Sequence, residues 1–314
     1  MNLKKPKFWD YKKPNTLAYL LLPISYLLKL IRLFEIKSKI KKSKIKTICV
    51  GNIYLGGTGK TSLSIKINEI LTEKKIKTCF VKKFYPTQFD EQKILESRGK
   101  LFTSSKRIDA INIAENEGYD VAILDDGLQD RSIKCNLNIV CFNKDVFIGN
   151  GKLIPAGPLR EKITSLKKYD LVFLNGLKKN IIKIKSIIKK QKKNIKIFES
   201  TYQILNLKKI SKKKRYILFS GIGNPKSFEE LMKKYRFKII KTFEFPDHYN
   251  YNKKYISMLN QISKKLKANL LTTEKDYLRI KKIEKKNINF VSLRFKIHEE
   301  NKLVNYLKNF YENS

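Results

Sequence analysis

Residues 51–61 read Gly-Asn-Ile-Tyr-Leu-Gly-Gly-Thr-Gly-Lys-Thr. They lie between a short apolar run, 45–50, and a helical pattern that places Leu63, Ile67, Ile70 and Leu71 on one face. Strand, glycine-rich loop, Gly-Lys-Thr and helix in that order is the context of a phosphate-binding P-loop. Glycines let backbone N–H groups close around phosphate oxygens, and the helix N-terminus adds its partial positive charge. Gly56, Gly57, Thr58, Gly59, Lys60 and Thr61 are the expected nucleotide contacts. Lys60 is expected on the outer phosphates and the Thr61 hydroxyl on Mg²⁺. Tyr54 stands where the strict spacing places glycine, so the loop is a variant. The plain alternative is a glycine turn joining a strand to a helix.

Apolar runs alternate with helical patterns along the rest of the chain. Strands are expected at 45–50, 76–81, 119–124, 137–142 and 170–174, with helices near 61–74 and 105–117. A second alternating series runs from strand 215–220 to helix 299–310, with one strand at 288–293. Such alternation predicts an α/β fold with a parallel sheet covered on both faces. The lysine-rich stretch 208–214 reads as a hinge. The expected organisation is an N-terminal helix within 1–35, a P-loop domain over 36–207 and a second, smaller α/β domain over 208–314.

The net charge of +41 invites a nucleic-acid reading. The charge is almost all lysine, spread over nearly every segment and not interleaved with aromatics in a nucleic-acid motif, so a solvated lysine surface is expected instead. It favours anionic partners, including phosphorylated substrates and anionic lipid head groups. The four cysteines, Cys49, Cys79, Cys135 and Cys141, form no C-x-x-C pair. Buried reduced thiols are expected.

Residues 17–28 are the strongest apolar stretch, preceded by a basic leader and followed by Lys29 and Arg32. No small-residue cleavage site follows, so a signal peptide is disfavoured. The run is shorter than the roughly 20 apolar residues of a spanning helix and contains Pro23. A helix lying in the membrane interface fits best, with a buried helix of the soluble core as the alternative.

Tyr119-Asp-Val-Ala-Ile-Leu-Asp-Asp-Gly127 reads as a strand ending in two carboxylates. In a P-loop fold such a strand sets an aspartate beside the bound metal. Asp125 and Asp126 are therefore expected at Mg²⁺, whose charge allows both to stay ionised. A strand-to-turn Asp-Gly is the bland reading.

Six segments occur in order: 51–61, Asp-Asp-Gly-Leu-Gln (125–129), Leu-Ile-Pro-Ala-Gly-Pro-Leu-Arg-Glu (153–161), Gly-Ile-Gly-Asn-Pro (221–225), Phe-Pro-Asp-His-Tyr (245–249) and Leu-Thr-Thr-Glu-Lys-Asp (271–276). Together they resemble the tetraacyldisaccharide 4′-kinase, or lipid A 4′-kinase, family. The resemblance implies ATP-dependent phosphorylation of the 4′-hydroxyl of a tetraacyl glucosamine disaccharide 1-phosphate, giving lipid IVA. It implies ATP and Mg²⁺ as cofactors, and attachment to anionic lipids at the cytoplasmic face of the bacterial inner membrane. Neither nucleic acid nor an obligatory protein partner is expected.

A sugar hydroxyl is a poor nucleophile and needs a base as the bond forms. The family pairs an aspartate with a histidine, and these fall on Asp90 and His248 of this chain. Glu161 matches a second acidic group near the metal. Arg160 has two readings, a phosphate contact or an ion pair at a helix start. Thr273–Asp276 also has two, a nucleotide contact or a helix N-cap. The family's Ser-Arg-Gly-Tyr-Gly after its second strand is replaced by Lys82-Lys-Phe-Tyr-Pro86, and the stretch from there to Asp90 is shorter than usual. The rival reading is a P-loop nucleotide hydrolase of the switch or metallochaperone type. A second rival is a non-enzymatic binding protein with a relic loop.

Overall fold

The computed structural model describes residues 5–34, 40–85, 89–247 and 249–312, apart from the side chains of 32–34, 89 and 90. Twelve strands are described in two sheets. The larger contains β1 (Lys46–Gly51), β2 (Thr78–Lys83), β3 (Leu101–Ser104), β4 (Val121–Asp125), β5 (Leu137–Asn143), β6 (Leu171–Asn175) and β7 (Lys196–Ile204). The smaller contains β8 (Arg215–Ser220), β9 (Lys238–Glu244), β10 (Asn269–Thr273) and β11 (Ile288–Val291). The last strand, β12 (Leu293–Ile297), returns to the larger sheet.

The larger sheet has the order β12-β7-β6-β5-β1-β4-β2-β3, and every pairing is parallel except β12 against β7. Its central strands are buried on both sides because successive side chains alternate between faces. Ile48, Val50, Ile123 and Phe173 point into one layer, covered by the helix Lys60–Glu73 and the C-terminal helix Glu300–Glu312. Cys49, Ala122 and Leu124 point into the other, under the helix Arg107–Asn116. Val140, Phe142 and Val172 continue that side beneath the helix Ile182–Gln191.

The smaller sheet, β11-β10-β8-β9, is parallel throughout. The helix Pro225–Lys234 covers one face through Phe228, Leu231 and Met232. The helix Lys253–Lys265 covers the other through Ile256 and Leu259.

The C-terminal part of the 208–314 stretch departs from the sequence expectation. The apolar run at 288–293 is two strands rather than one, and Ser292 separates them. β11 completes the small sheet, whereas β12 and the last helix pack on the large one, with Phe295, Ile297, Leu303 and Leu307 in its core. The chain thus crosses between the units twice. Asn206 ties the crossings together, donating to Phe290 O at 2.8 Å and accepting from Ser292 N at 3.0 Å.

The apolar N-terminal stretch forms two helices, Thr16–Leu20 and Leu22–Phe34. Asn15 caps the first through Ala18 N at 3.0 Å, and Pro23 stands in the first turn of the second, where its missing N–H costs nothing. Among the described side chains of these helices a narrow strip docks on the body: Ala18 is buried, and Ser25 Oγ donates to Leu153 O at 3.0 Å and accepts from Ala156 N at 3.1 Å. Leu17, Tyr19, Leu20, Ile24, Tyr26, Leu27, Leu28, Leu30 and Ile31 are exposed. Among the described residues no helix is long and apolar enough to cross a membrane. Cys49, Cys79 and Cys141 are buried free thiols, and Cys135 is half-buried.

Candidate active site

The site forms at the carboxyl ends of β1 and β4. Gly59 caps the helix Lys60–Glu73 with φ +91°, a left-handed conformation that a side chain disfavours. Asn52 braces the loop across its mouth, its Nδ2 donating to Gly56 O and Thr58 Oγ1, each at 3.1 Å. Tyr54, the residue that breaks the strict glycine spacing, is buried. Its ring sits under the Lys5 ammonium, and its hydroxyl meets Lys5 at 2.9 Å and also Asp10. The variant position therefore joins the phosphate loop to the N-terminal segment.

From the smaller unit, the Gly221–Asn224 turn lies directly on the P-loop. A methyl group on Gly223 would collide with the backbone of Gly57, so glycine is required there by close approach. Asn224 caps the helix Pro225–Lys234 through Ser227 N at 3.2 Å, and Ser227 Oγ accepts from Asn143 of β5 at 3.1 Å. Asp276 holds the turn from behind. Its buried carboxylate accepts from Gly221 N at 2.9 Å, Tyr251 Oη at 3.0 Å, Arg279 at 3.0 Å and Thr273 Oγ1 at 2.7 Å. Thr273 in turn accepts from Asp276 N at 3.2 Å, so the N-cap reading of this segment is the one observed. Burial pushes the Asp276 carboxyl upward, partly offset by Arg279 and its hydrogen bonds.

Asp125 is fully buried at the end of β4. Its Oδ1 accepts from Ser64 Oγ at 3.1 Å, and its Oδ2 faces Thr61 Oγ1 at 3.4 Å and Lys82 Nζ at 2.9 Å. Asp126, in the left-handed region at φ +57°, turns its carboxylate toward Arg160, which grips it at 2.9 and 3.3 Å, and toward Lys60 at 3.8 Å. Burial works against its charge, but Lys60 and Arg160 outweigh burial and hold it below the usual carboxylate range. Arg160 thus meets a site carboxylate rather than a helix start. Glu161 accepts from Gln129 at 3.0 Å and Tyr169 at 3.0 Å, and Gln129 also donates to Asn52 O at 2.9 Å.

Lys60, Thr61, Asp125 and Asp126 therefore converge at one end of the sheet, with Glu161 joined to them through Gln129 and Arg160. Asp90 lies in the helix Phe89–Glu96, but its side chain is outside the described residues, as is His248. Sequence reasoning missed Lys82 and Lys275, the ion partners of Glu91 at 2.8 and 3.1 Å. Burial opposes the Glu91 charge, yet Lys275, Lys82 and Lys60 keep its carboxyl well below the usual range. The signal available was a lysine ending an apolar core strand. Lys82 is 1% exposed, and although burial disfavours its charge, Asp125 and Glu91 raise its pKa above the ordinary lysine value.

A parallel sheet with a P-loop at β1, an acidic turn at β4 and a second α/β unit across the loop defines a P-loop nucleotide-binding protein. Comparison with known proteins refines that class. The LpxK family model, tetraacyldisaccharide-1-P 4′-kinase, matches residues 17–312. The chain is 53% identical over 307 residues to the tetraacyldisaccharide 4′-kinase of Pelagibacter ubique (strain HTCC1062), covering 98% of each chain. It is 34% identical over 300 residues to that of Rickettsia bellii (strain OSU 85-389), covering 89% of this chain and 90% of the relative. In fold it resembles LpxK from Aquifex aeolicus, crystallised in complex with ATP. The TM-score is 0.67 at 23% identity, over 94% of this chain and 100% of that one. The chain belongs to the tetraacyldisaccharide 4′-kinase family.

Proposed function

We propose that this chain transfers the γ-phosphoryl group of ATP to the 4′-hydroxyl of a tetraacyl glucosamine disaccharide 1-phosphate, giving lipid IVA at the cytoplasmic face of the bacterial inner membrane. The observation that carries the reading is the convergence of Lys60, Thr61, Asp125 and Asp126 beneath the Gly221–Asn224 turn in a chain of this family.

Phosphoryl transfer asks for position and charge more than covalent chemistry. Backbone N–H groups of Gly56–Gly59 and the start of the helix at Lys60 cradle the phosphates, and Lys60 supplies a charge-assisted contact to the outer ones. Arg160, already paired with Asp126, would supply a second cation for phosphate oxygen.

The donors suit Mg²⁺, a hard cation that uses one or two carboxylates plus substrate phosphates and water. Thr61 Oγ1 and Asp125 Oδ2 face each other at 3.4 Å, with Lys82 Nζ also 2.9 Å from that carboxylate oxygen. Thr61 and Asp125 would hold the ion, while Asp126 is paired with Arg160 and Lys60, and Glu161 accepts from Gln129 and Tyr169 nearby. When bound, the ion neutralises charge on the transferring group. Asp90 and His248 act as a pair that removes the acceptor proton, a role resting on their family motifs.

The exposed apolar side chains of the N-terminal helices, rimmed by basic residues, lie in the acyl boundary. Their docking strip touches 153–156, in the same segment that delivers Arg160 and Glu161, so the acceptor lipid is presented close to the phosphate loop. The test is ADP release with and without acceptor in detergent micelles. A lipid kinase consumes ATP only when the disaccharide is present, whereas steady lipid-independent hydrolysis supports the switch reading instead.

A further inference from the structure

We infer that Lys82 and Lys275 are positioning residues that latch the smaller unit onto the nucleotide end of the larger one through Glu91. The inference rests on the proposed nucleotide site and goes beyond its ligands. Four charges alternate in a line: Asp125, Lys82, Glu91 and Lys275. Lys82 Nζ, almost wholly buried at the end of β2, lies 2.9 Å from Asp125 Oδ2 and 2.8 Å from Glu91 Oε2. The other oxygen of Glu91 meets Lys275 Nζ at 3.1 Å. Asp125 faces the P-loop threonine, Glu91 rides on the helix Phe89–Glu96, and Lys275 belongs to the helix Glu274–Arg279 of the smaller unit.

The next residue, Asp276, holds Gly221 N and with it the turn lying on Gly57. One short helix therefore reaches the phosphate loop by two routes, backbone packing through the Gly221–Asn224 turn and the charge chain through Glu91. Lys275 is 32% exposed, so the cost of losing it falls on the more buried Glu91, whose charge keeps its burial with less compensation. Opening the units pulls Lys275 from Glu91 and leaves Glu91 with Lys82, which it shares with Asp125, and Lys60 at longer range. The chain therefore favours the closed arrangement, in which the turn covers the phosphate loop, and closure sets nucleotide affinity.

The experiment compares the full-length parent with Lys275→Met and Lys275→Arg, none of which changes a proposed ligand. ATP affinity is measured by calorimetry without acceptor lipid, and amide hydrogen exchange is followed at 55–59 and 221–224. Lys275→Met is expected to weaken ATP binding about tenfold, within the usual range of coupling between sites. It is also expected to speed exchange at the turn and the P-loop while leaving the strands of the small sheet protected. Lys275→Arg is expected to restore both. Parent-like exchange and affinity in Lys275→Met overturns the latch. So does faster exchange spread evenly over the small sheet with no rescue by arginine, which marks a purely structural lysine. A parent that binds no ATP overturns the proposed function, while the exchange comparison, made without ligand, still decides the latch.

Discussion

Replacing Asp276 by Ala removes the carboxylate on which the Gly221–Asn224 turn hangs. In the folded protein this strips the acceptor from Gly221 N–H and Tyr251 O–H, both held at about 3 Å, and removes the charge partner of Arg279. Each buried donor left unsatisfied costs about 1–3 kcal/mol. Gly221 and Tyr251 alone, at the middle of that range, give about 4 kcal/mol, before the Thr273 hydroxyl's loss of its acceptor and any relaxation of Arg279. A loss of 1 kcal/mol lowers Tm by about 2–4 °C in a chain of roughly 150–250 residues and by less in a longer one, so the protein should melt up to about 8–16 °C earlier.

Asp276→Asn provides the internal control. Burial raises the Asp276 carboxyl, so the neutral form is already favoured relative to an exposed aspartate. The amide keeps the shape and one acceptor oxygen, and the loss should be no more than about half that of alanine. Thermal and urea unfolding, followed by tyrosine and tryptophan fluorescence, measure both variants. An Asp276→Ala protein within about 1 kcal/mol of the parent, or an asparagine variant as unstable as alanine, would refute the claim that this carboxyl supports the turn through hydrogen bonds.

Lys60→Ala should leave unfolding nearly unchanged, since its one ion pair among the described residues is a long contact to Asp126 at 3.8 Å, yet slow phosphoryl transfer on the order of 10²-fold or more in a steady-state assay. Deleting residues 1–34 should release much of the protein from anionic vesicles in a flotation assay, and high salt alone only part of it, because basic residues add roughly 1 kcal/mol each while the apolar face binds independently of salt. Asp90→Ala and His248→Ala should each lower kcat with ATP affinity nearly unchanged, and the double variant should cost little more than the worse single one. Glu91 and Asp126 have carboxyls held below their ordinary values of 4.5 and 3.8. Their stabilisation is present above those values and is lost as pH falls through the lower folded pKa values. Urea midpoints should therefore fall steeply below about pH 4, and a flat profile there contradicts the ion-pair assignments.

Much of the large sheet was legible because parallel strands buried on both faces write themselves as apolar runs, as in 119–124 and 170–174. β3 and β7 were not legible. The first is only four residues long, and the second mixes exposed and buried positions at Lys196–Ile204, near the sheet edge where β12 covers it. The split at Ser292 is hidden because β11 and the alternating Leu-Arg-Phe-Lys-Ile of β12 are separated by a single residue, and only tertiary packing sends them to different sheets.

In the site, the P-loop and the paired aspartates announce themselves through residue type and spacing. The charge chain does not. Lys82 and Lys275 stand among many lysines, and only burial against Asp125 and Glu91 separates them from solvated surface charges. Tyr54 reads as a defect in a glycine motif until the N-terminal segment is seen packed on it.

The most direct test of the account follows the phosphate itself. Purified protein is incubated with γ-labelled ATP, Mg²⁺ and the tetraacyl disaccharide 1-phosphate, and the lipid fraction is resolved and counted, with Lys60→Ala in parallel. Label in a bisphosphorylated disaccharide, formed by the parent and reduced on the order of 10²-fold or more in the variant, is the predicted result. Label that remains in free phosphate, or a lipid product formed equally by Lys60→Ala, would contradict it.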